Sequence, residues 1–360
     1  MSITPAPVDL LALSLDQLKA LVVDLGGKPF RATQIHGWIY QKGVDRVDDM
    51  ANLPKALRAR LREATCIGTL GVAEEQQSPD GTTKRLYRLR EGQLVEAVLM
   101  RYRDGRNTAC ISSQAGCAMG CVFCATGQMG FGRHLRTEEI LEQVWRFDRE
   151  LKTEGARLSN VVMMGMGEPF HNYDASVGAM RRINTDVGIG ARHITVSTVG
   201  IVPAIRRFAA EGFQATLAIS LHATEDAQRS AMMPVNRKWP IEELIAACRE
   251  YVDATHRRVT FEWALIGGQT DSLDEARRLG HLLRGLLCHV NVIPLNPTEG
   301  FTGEPSSPEK VNAFVEQLRE MGTPASIRVR RGIDIDAGCG QLKSRVLARE
   351  ARGAGDQLSG

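Results

Sequence analysis

The sequence predicts an α/β protein whose main part is a partial (β/α)6 barrel, and three observations support this fold class. After Asn107, short apolar runs alternate with amphipathic stretches, which is the pattern of repeated βα units. Right-handed crossovers curl a parallel sheet of such units into a partial barrel. Before Asn107 the pattern is first helical and then strand-like, so two smaller units precede the barrel. We expect a helical accessory domain over residues 1–66, a small β linker over 67–106, the barrel over 107–345 and a polar tail over 346–360.

The composition sets limits on the class of protein. Its 360 residues allow two or three ordinary domains, or one barrel with an appendage, and 43% hydrophobic residues suffice for a large core. The net charge of +3 neither requires nor excludes a nucleic-acid partner. Eight cysteines without a secretory signal favour a reducing compartment. Because no apolar run approaches the ~18 residues of a membrane helix, we expect a cytoplasmic protein without membrane contacts.

The first 66 residues are predicted to contain three helices. The first starts at Ser14 or Asp16, the second runs from Arg31 to Gln41, and the third follows Pro54. The third helix has a basic face that is suited to phosphates, although such faces are more often only solvated. Its members are Lys55, Arg58, Arg60 and Arg62.

Two strands separated by turn signals are predicted over residues 82–89 and 94–100, as parts of a small sheet that links the helices to the barrel. Glu96 is a carboxylate inside the second, apolar strand. Judged from this pattern alone, it is an outward-facing residue at a sheet edge.

The barrel elements follow in alternation. The predicted strands cover residues 108–113, 160–166, 193–198, 214–220, 258–266 and 289–295, with a short last strand at 325–331. The predicted helices cover 137–149, 174–184, 202–211, 241–254, 274–287 and 308–321. Thr137 is expected to cap the first of these helices.

Three cysteines follow the first barrel strand at C-x3-C-x2-C spacing: Cys117, Cys121 and Cys124. Three thiolates this close together can bind three irons of a [4Fe–4S] cluster, which leaves the fourth iron open to a small molecule. An open iron that chelates S-adenosylmethionine (SAM) and reduces it is the radical-SAM arrangement. A zinc site would need a fourth protein ligand, and the nearest candidate, His134, lies at no usual spacing.

Glycine-containing or polar segments end several of the predicted strands. They cover residues 164–169, 197–200, 220–222 and 294–297. Ligands of parallel α/β proteins collect at the carboxyl ends of the strands, so these segments predict a SAM pocket around the cysteine loop. Glu168 can accept a hydrogen bond from a ligand ammonium group. His222 is predicted to be a binding position only.

Two further cysteines stand apart from the three-cysteine motif. Cys110 lies on the first barrel strand, and Cys339 lies between Gly338 and Gly340 in a loop-like stretch. Most lone cysteines are buried and inert. Cys339 does not fit that pattern, because a thiolate on a loop over the barrel mouth is suited to be a covalent carrier.

These motifs resemble the RlmN/Cfr group of radical-SAM RNA adenine methyltransferases, and within it most closely the RlmN branch. The likeness runs from about Phe30 to Leu342. It rests on the segments 110–127, 165–169, 194–200, 220–223, 294–297 and 334–342. The pair of Cys110 and Cys339 makes it far more specific than the three-cysteine motif alone.

The resemblance implies a role for each matching residue. Cys117, Cys121 and Cys124 would ligate the [4Fe–4S] cluster. The SAM pocket would be formed by Gly167, Glu168, Ser197, Ser220, Leu221, His222 and Asn296. Cys339 would be methylated by one SAM, and a second SAM would give the radical that activates this methyl group for addition to adenine C2. Cys110 would then resolve the protein–RNA crosslink through a disulfide with Cys339, and Glu96 would accept a proton, which reverses its edge interpretation.

The implied substrates are an adenine of 23S rRNA in the peptidyl-transferase centre and the adenine 3′ of certain tRNA anticodons. The implied electron donor is a flavodoxin or a ferredoxin, and we expect a monomer. The N-terminal helices would hold RNA through its shape and phosphates. Further candidate RNA contacts near the barrel mouth are Arg101, Arg103, Arg133 and Arg136.

Three alternatives remain open at this point. A Cfr-like enzyme would methylate adenine C8 with the same cysteines, and sequence motifs separate the two poorly. Another radical-SAM activity could use Cys110 and Cys339 structurally. A non-catalytic RNA-binding protein would use the three-cysteine loop for a structural metal.

Overall fold

A single ten-stranded sheet organises the computed structural model, which describes residues 6–296, 298, 300–338 and 340–341. The strands are β1 (Val8–Asp9), β2 (Thr65–Cys66), β3 (Gly71–Gln77), β4 (Thr82–Arg88), β5 (Leu94–Arg101), β6 (Asn107–Cys110), β7 (Gln114–Gly116), β8 (Phe131–His134), β9 (Asn160–Met163), β10 (Ile194–Thr198), β11 (Thr216–Ser220), β12 (Val259–Leu265), β13 (Cys288–Pro294) and β14 (Ala325–Ile327). The α-helices are α1 (Leu15–Asp24), α2 (Arg31–His36), α3 (Lys55–Ala64), α4 (Ala125–Gln128), α5 (Thr137–Thr153), α6 (Tyr173–Arg182), α7 (Val202–Ala210), α8 (Asp226–Met232), α9 (Ile241–Thr255), α10 (Leu273–Leu282) and α11 (Pro308–Glu320).

The large sheet has the order β14-β13-β12-β11-β10-β9-β6-β5-β4-β3. Neighbouring strands from β6 to β14 are parallel, and β9 to β14 follow one another in chain order. Helices α5 to α11 connect these strands, so the predicted α/β class with a partial barrel of βα units is confirmed. The parallel strands are largely buried, as expected for a sheet covered by helices.

The small sheet that was predicted as a linker is continuous with the barrel sheet. Strands β3, β4 and β5 are antiparallel, but β5 pairs directly with β6, from Val98 opposite Cys110 to Arg101 opposite Asn107. They therefore extend the barrel sheet past its first strand. The physical reason is that the first strand of an open barrel has an unpaired edge, which β5 satisfies with backbone hydrogen bonds. The predicted boundary at residue 106 falls inside one continuous sheet.

The N-terminal helices follow the predicted pattern and pack against the barrel. Ser14 caps the start of α1. Its hydroxyl accepts from the amide of Gln17 at 3.2 Å, and its own amide donates to the Gln17 side chain at 2.8 Å. Trp145 of α5 donates to the carbonyl of Ile39 at 3.0 Å, and Lys152 donates to the carbonyl of Tyr40 at 2.6 Å. The accessory domain is thus fixed on the first barrel helix.

The start of α5 differs from the expectation. Thr137 is its first helical residue and not its cap, and Glu139 instead accepts from the amide of Arg136 at 2.8 Å. A second structure that the sequence pattern did not indicate is the hairpin of β7 and β8, whose strands pair Gln114 with His134. This hairpin encloses the three-cysteine loop.

The basic face of α3 is largely used inside the accessory domain. Arg58 donates to the carbonyl of Asp48 at 3.0 Å, Arg60 donates to the carbonyl of Leu25 at 2.8 Å, and Arg62 pairs with the Asp48 carboxylate at 3.2 Å. Within the described residues, none of the helices combines the length and the apolar character that crossing a bilayer requires.

Candidate functional site

A first cavity opens at the carboxyl ends of the parallel strands, where the sequence places the site. Its volume is about 1020 Å³, including space that is open to solvent. Its lining contains most of the predicted site residues: Cys117, Cys121, Cys124, Gly167, Glu168, Ser197, Ser220, His222 and Asn296. The structure therefore brings the predicted cluster ligands and most of the predicted SAM contacts into one space.

The loop with the three cysteines is closed at its base by the β7–β8 hairpin. The amide of Cys117 donates to the carbonyl of Gly130 at 2.8 Å, and Gly116 has a positive φ of 76°. A Cβ at Gly116 would lie 2.1 Å from the Gly130 carbonyl oxygen, so only glycine fits at this crossing. The hairpin holds the loop over the barrel mouth.

Bound iron can offset the cost of burying the cysteine thiolates. Burial raises the pKa of Cys117 to about 12 and raises the pKa of Cys121 well above its ordinary value. Bare thiolates are therefore costly here, and positively charged iron offsets that cost. Among the described residues, no group of three or more His, Cys, Asp or Glu side chains is arranged to hold a metal ion. In a [4Fe–4S] cluster each thiolate binds a different iron, so the three sulfurs need not converge on one point.

Glu168 is a buried carboxylate at the end of β9, fixed at both oxygens. Its Oε1 accepts from the amide of Phe170 at 2.9 Å, and its Oε2 accepts from the amide of Val199 at 2.8 Å. Burial raises its pKa to about 7 in spite of these two donors. The Gln114 side chain accepts from the Glu168 amide at 2.8 Å, which fixes the backbone at this point. The arrangement is suited to receive a cationic group from the cavity.

Ser197, Ser220 and Asn296 line the first cavity from three different strand ends. The Ser197 hydroxyl donates to the carbonyl of Met163 at 2.7 Å. Leu221 differs from these residues, because its side chain is fully buried in the main hydrophobic core and does not line the cavity. Its place in the SAM pocket would have to come from its backbone.

His222 has a left-handed backbone, with φ of 61°, and its ring is buried. Its Nδ1 accepts from the amide of Ala264 at 2.9 Å, so the neutral ring carries its proton on Nε2. Burial, helped by the nearby Arg229 charge, lowers the pKa of His222 to about 3. Phe123 from the cysteine loop packs edge-on against the ring at 4.9 Å between centroids. His222 therefore links the cysteine loop to the strand ends as a neutral group.

A second cavity, of about 810 Å³, adjoins the first and contains Cys110. The two cavities share a wall of four residues: Met164, Ile293, Asn296 and Arg328. Cys339 lies outside the described residues. Its neighbours in the chain, Gly338 and Gly340, line the second and the first cavity respectively.

Glu96 is buried, with its Oε1 at 3.6 Å from Lys84 Nζ. Residues 96, 98 and 100 of β5 point to one face of the sheet, and Val98 is opposite Cys110. Glu96 therefore lies on the same face as Cys110, although it does not line either cavity. The interpretation of Glu96 as an outward-facing edge residue is wrong, because β4 and β6 flank its strand.

Three of the arginines predicted near the mouth are engaged in ion pairs. Arg101 pairs with Glu150 at 2.7 Å and with Glu154 at 2.6 Å. Arg133 and Arg136 both pair with Glu91 and Glu139; for Arg133 the distances are 2.6 and 2.7 Å. Their charges are compensated within the protein, which weakens them as contacts for RNA.

The structure adds polar residues that the sequence analysis did not single out. Glu262 and Arg328 line the first cavity and pair at 3.4 Å, and Gln114 holds the Glu168 backbone. The signal for Glu262 was present, since it is a carboxylate in the otherwise apolar strand β12. Arg328 stands in a basic run after β14, where nothing in the pattern distinguishes it from its neighbours.

The chain matches known protein families over most of its length. Residues 8–67 match the ribosomal RNA large subunit methyltransferase N-terminal domain, and residues 111–280 match the radical SAM superfamily. A dual-specificity RNA methyltransferase RlmN 1 of Myxococcus xanthus is 49% identical over 347 residues, which is 96% of each chain. A probable dual-specificity RNA methyltransferase RlmN of Geobacillus kaustophilus is 46% identical over 352 residues, covering 97% of this chain and 95% of the relative.

A solved structure shows the same fold over nearly the whole chain. The crystal structure of a radical SAM methyltransferase from Sphaerobacter thermophilus has a TM-score of 0.90 and 49% identity, and it covers 94% of this chain and 99% of that one. The superfamily implies a [4Fe–4S] cluster and SAM as cofactors. The chain therefore belongs to the RlmN family of radical-SAM RNA methyltransferases.

Proposed function

We propose that the protein methylates C2 of one adenine in 23S rRNA and of the adenine 3′ of the anticodon in some tRNAs. C2 of adenine is neither nucleophilic nor easily deprotonated, so polar methyl transfer to it fails and a radical route is needed. The observation that carries this proposal is the pair of adjoining cavities. Cysteines 117, 121 and 124 line one, and Cys110 lines the other.

The residues that would hold the cofactors line the first cavity. Cys117, Cys121 and Cys124 would bind the cluster, and Glu168 would accept hydrogen bonds from the SAM ammonium group. With two SAM molecules per turnover and an electron from a flavodoxin or ferredoxin, the cofactors supply the methyl group and the radical. Ser197, Ser220, His222 and Asn296 would complete the SAM site.

The residues that would act on the RNA follow from the second cavity. Cys339 would carry the methyl carbon and become crosslinked to adenine through it. Glu96 would accept the proton from C2, and the odd electron left by radical addition would pass to the oxidised cluster. Attack of the Cys110 thiolate on the Cys339 sulfur would then form an S–S bond and break the S–C bond. The electron pair of the S–C bond would stay on the methylene carbon, which takes up a proton to become the methyl group. Support comes from Cys110 in the second cavity, from Glu96 on the same sheet face, and from Gly338 and Gly340 on the two cavities.

Two cysteine variants test these roles separately. Cys339→Ala should abolish methylation, because no carrier remains. Cys110→Ala should accumulate a protein–RNA crosslink that survives denaturing electrophoresis, because the crosslink cannot be resolved. Cys66→Ala is the matched control, since Cys66 lies outside both cavities, and it should behave as wild type. Full methylation by Cys339→Ala would contradict the proposal and favour a structural role for that cysteine.

Two other functions make different predictions. A Cfr-like enzyme would yield 8-methyladenosine with the same cysteine dependence. A non-catalytic RNA-binding protein with a structural metal would be colourless and zinc-loaded, and it would not cleave SAM on reduction. Cys117 and Cys121 are buried beside a cavity that Glu168 also lines, and this arrangement favours the enzyme.

A further inference from the structure

Arg328 and Glu262 form a pair at the wall that separates the two cavities. Glu262 is in the middle of β12 with 5% of its side chain exposed, and Arg328 follows β14 with 23% exposed. Arg328 Nη1 lies 3.4 Å from Glu262 Oε2 and 3.2 Å from the sulfur of Met164. Arg328 is also the one charged residue among the four that line both cavities.

The strand register shows how this arginine is held. Glu262 is level with Asn291 on β13, which is level with Ser326 on β14. Asn291 donates to Glu262 Oε1 at 2.9 Å, and Ser326 donates to Asn291 Oδ1 at 3.3 Å. Arg328 is two residues after Ser326, so it lies on the same face and one layer closer to the mouth. Its amide donates to the carbonyl of Val292 at 2.9 Å. The side chain thus stands on a network built across three strands.

A buried carboxylate is destabilising unless it is paired and hydrogen-bonded, so Glu262 and its partners form a unit that depends on the arginine. The pair has no net charge, and it therefore attracts an anionic phosphate only weakly. What it offers to the cavities is a guanidinium group with directional N–H donors at a fixed place. Such donors can form a directional hydrogen bond with a neutral acceptor atom, such as the lone pair of a ring nitrogen.

Adenine presents acceptors of this kind beside the reacting carbon, because C2 is bonded to N1 and N3. We propose that Arg328, held by Glu262, donates a hydrogen bond to N1 or N3 of the target adenine and so places C2 at the wall between the cavities. This inference rests on the function proposed above. Arg328 would thus recognise the base at the wall between the two cavities, where C2 is accessible from both of them. N7 and C8, on the other edge of the base, would face away from the arginine.

The test combines an arginine variant with single-atom changes in the RNA. Synthetic RNA substrates carry adenosine, 1-deazaadenosine, 3-deazaadenosine or 7-deazaadenosine at the target position, and kcat/KM for methylation is measured with wild type and Arg328→Gln. With adenosine, the variant should lose roughly 10- to 100-fold, the value of one hydrogen bond from a charged donor. With the 1-deaza or the 3-deaza substrate, the variant should show no further loss, since the acceptor is already absent. The loss should persist with the 7-deaza substrate.

The inference would be overturned if Arg328→Gln lowered kcat/KM by the same factor with the 1-deaza and the 3-deaza substrates as it does with adenosine. A second contradicting result uses a methylphosphonate linkage, which removes the charge of the 5′ phosphate of the target nucleotide. If Arg328→Gln then caused no further loss of kcat/KM, the arginine would bind the RNA backbone and not the base. A failure of the proposed function itself looks different, since wild type would then give no 2-methyladenosine from the unmodified RNA.

Control variants separate recognition from folding. Arg277→Gln, at an exposed arginine of α10 paired with Asp274, should match wild type with every substrate. Arg328→Lys keeps a positive charge beside Glu262 and serves if the glutamine variant does not fold. It should show the same dependence on the deaza substrates with a smaller loss. Iron content and thermal unfolding are measured for each variant, so that only folded and loaded protein is compared.

Discussion

Gly167 shows how a single residue shapes the first cavity. Its φ is 100°, and an added Cβ would lie 2.5 Å from the Cβ of Gln114. Gln114 in turn accepts from the Glu168 amide, so a displacement here moves the carboxylate that faces the cavity. Position 167 therefore needs glycine for both backbone conformation and space.

Gly167→Ala should lower the free energy of unfolding by ~1–3 kcal/mol, as overpacking does, and should weaken SAM binding. Gly188→Ala is the control, because Gly188 also has a positive φ, of 87°, but no atom within 4 Å of an added Cβ. Urea unfolding and calorimetric titration with SAM measure the two effects. If both variants lose the same stability and bind SAM equally well, the contact with Gln114 has no role.

His222 predicts a dependence of stability on pH. Its folded pKa of about 3 lies below the ordinary value of 6.5, so the unfolded chain binds more protons between these values. Stability should therefore be complete above pH 6.5 and decrease as the pH falls toward 3. Between pH 7 and 5.5 the contribution of this one residue is about 1 kcal/mol.

The matched variant is His222→Asn, since asparagine tolerates a left-handed backbone and cannot be protonated. Urea unfolding of both proteins at pH 7 and 5.5 gives the difference. Wild type should lose about 1 kcal/mol more than the variant over this interval. Equal losses would mean that the buried ring accepts a proton in the folded state.

The helix α3 shows the limits of an interpretation from residue type. Its basic residues have the pattern of an RNA-binding face, but Arg58, Arg60 and Arg62 hold neighbouring segments of the same domain. Lys55, at the start of the helix, is exposed. The sequence cannot distinguish these two uses, because an arginine that donates to a backbone carbonyl and an arginine that binds an RNA phosphate have the same pattern in the sequence.

Arg60→Gln should therefore lower the free energy of unfolding by ~0.5–1.5 kcal/mol through the lost hydrogen bond to Leu25, with little change in RNA affinity. Lys55→Gln should do the reverse: it should weaken binding to a tRNA anticodon stem-loop and leave stability unchanged. Thermal unfolding and filter binding at one fixed salt concentration measure both. A large loss of RNA affinity in Arg60→Gln alone would restore the original view of this face.

Most elements of the fold could be predicted from the sequence, because strong hydrophobic periodicity marks them. The parallel strands β9 to β13 and most of the helices between them agree with the predicted ranges to within a few residues. The exceptions are α8, which was not predicted, and α10, which ends at Leu282 and not at residue 287. The short hairpin of β7 and β8 was missed, since its strands have three and four residues and little apolar character. Its existence depends on Gly116 and Gly130 crossing closely, which is a tertiary contact.

The site was predicted to a similar degree and for similar reasons. Cysteine spacing and the segments at strand ends indicated the first cavity, whereas the Glu262–Arg328 pair joins residues that are far apart in the chain. Such a pair becomes visible only when the register of β12, β13 and β14 is known. Leu221 shows a different limit. Its place between Ser220 and His222 does not bring its side chain into the cavity, so a contact with SAM would have to come from its backbone.

In the whole molecule, one sheet contains both the strands predicted as a β linker and the strands of the barrel. Strand β5 carries Glu96 and pairs with β6, which carries Cys110, and β6 pairs with the first of the following parallel strands. The edge strands therefore belong to the same hydrogen-bonded sheet as the barrel strands. This continuity places the second cavity against the first, and the proposed function depends on that arrangement.

Methylation of adenine at C2 is the function proposed for the two adjoining cavities. The most direct measurement is anaerobic incubation of the cluster-loaded protein with SAM, a reductant and unmodified 23S rRNA or tRNA, followed by mass spectrometry of the digested nucleosides. We expect 2-methyladenosine whose formation depends on both SAM and the reductant. Formation of 8-methyladenosine, or of no methylated adenosine by protein that cleaves SAM, would contradict it.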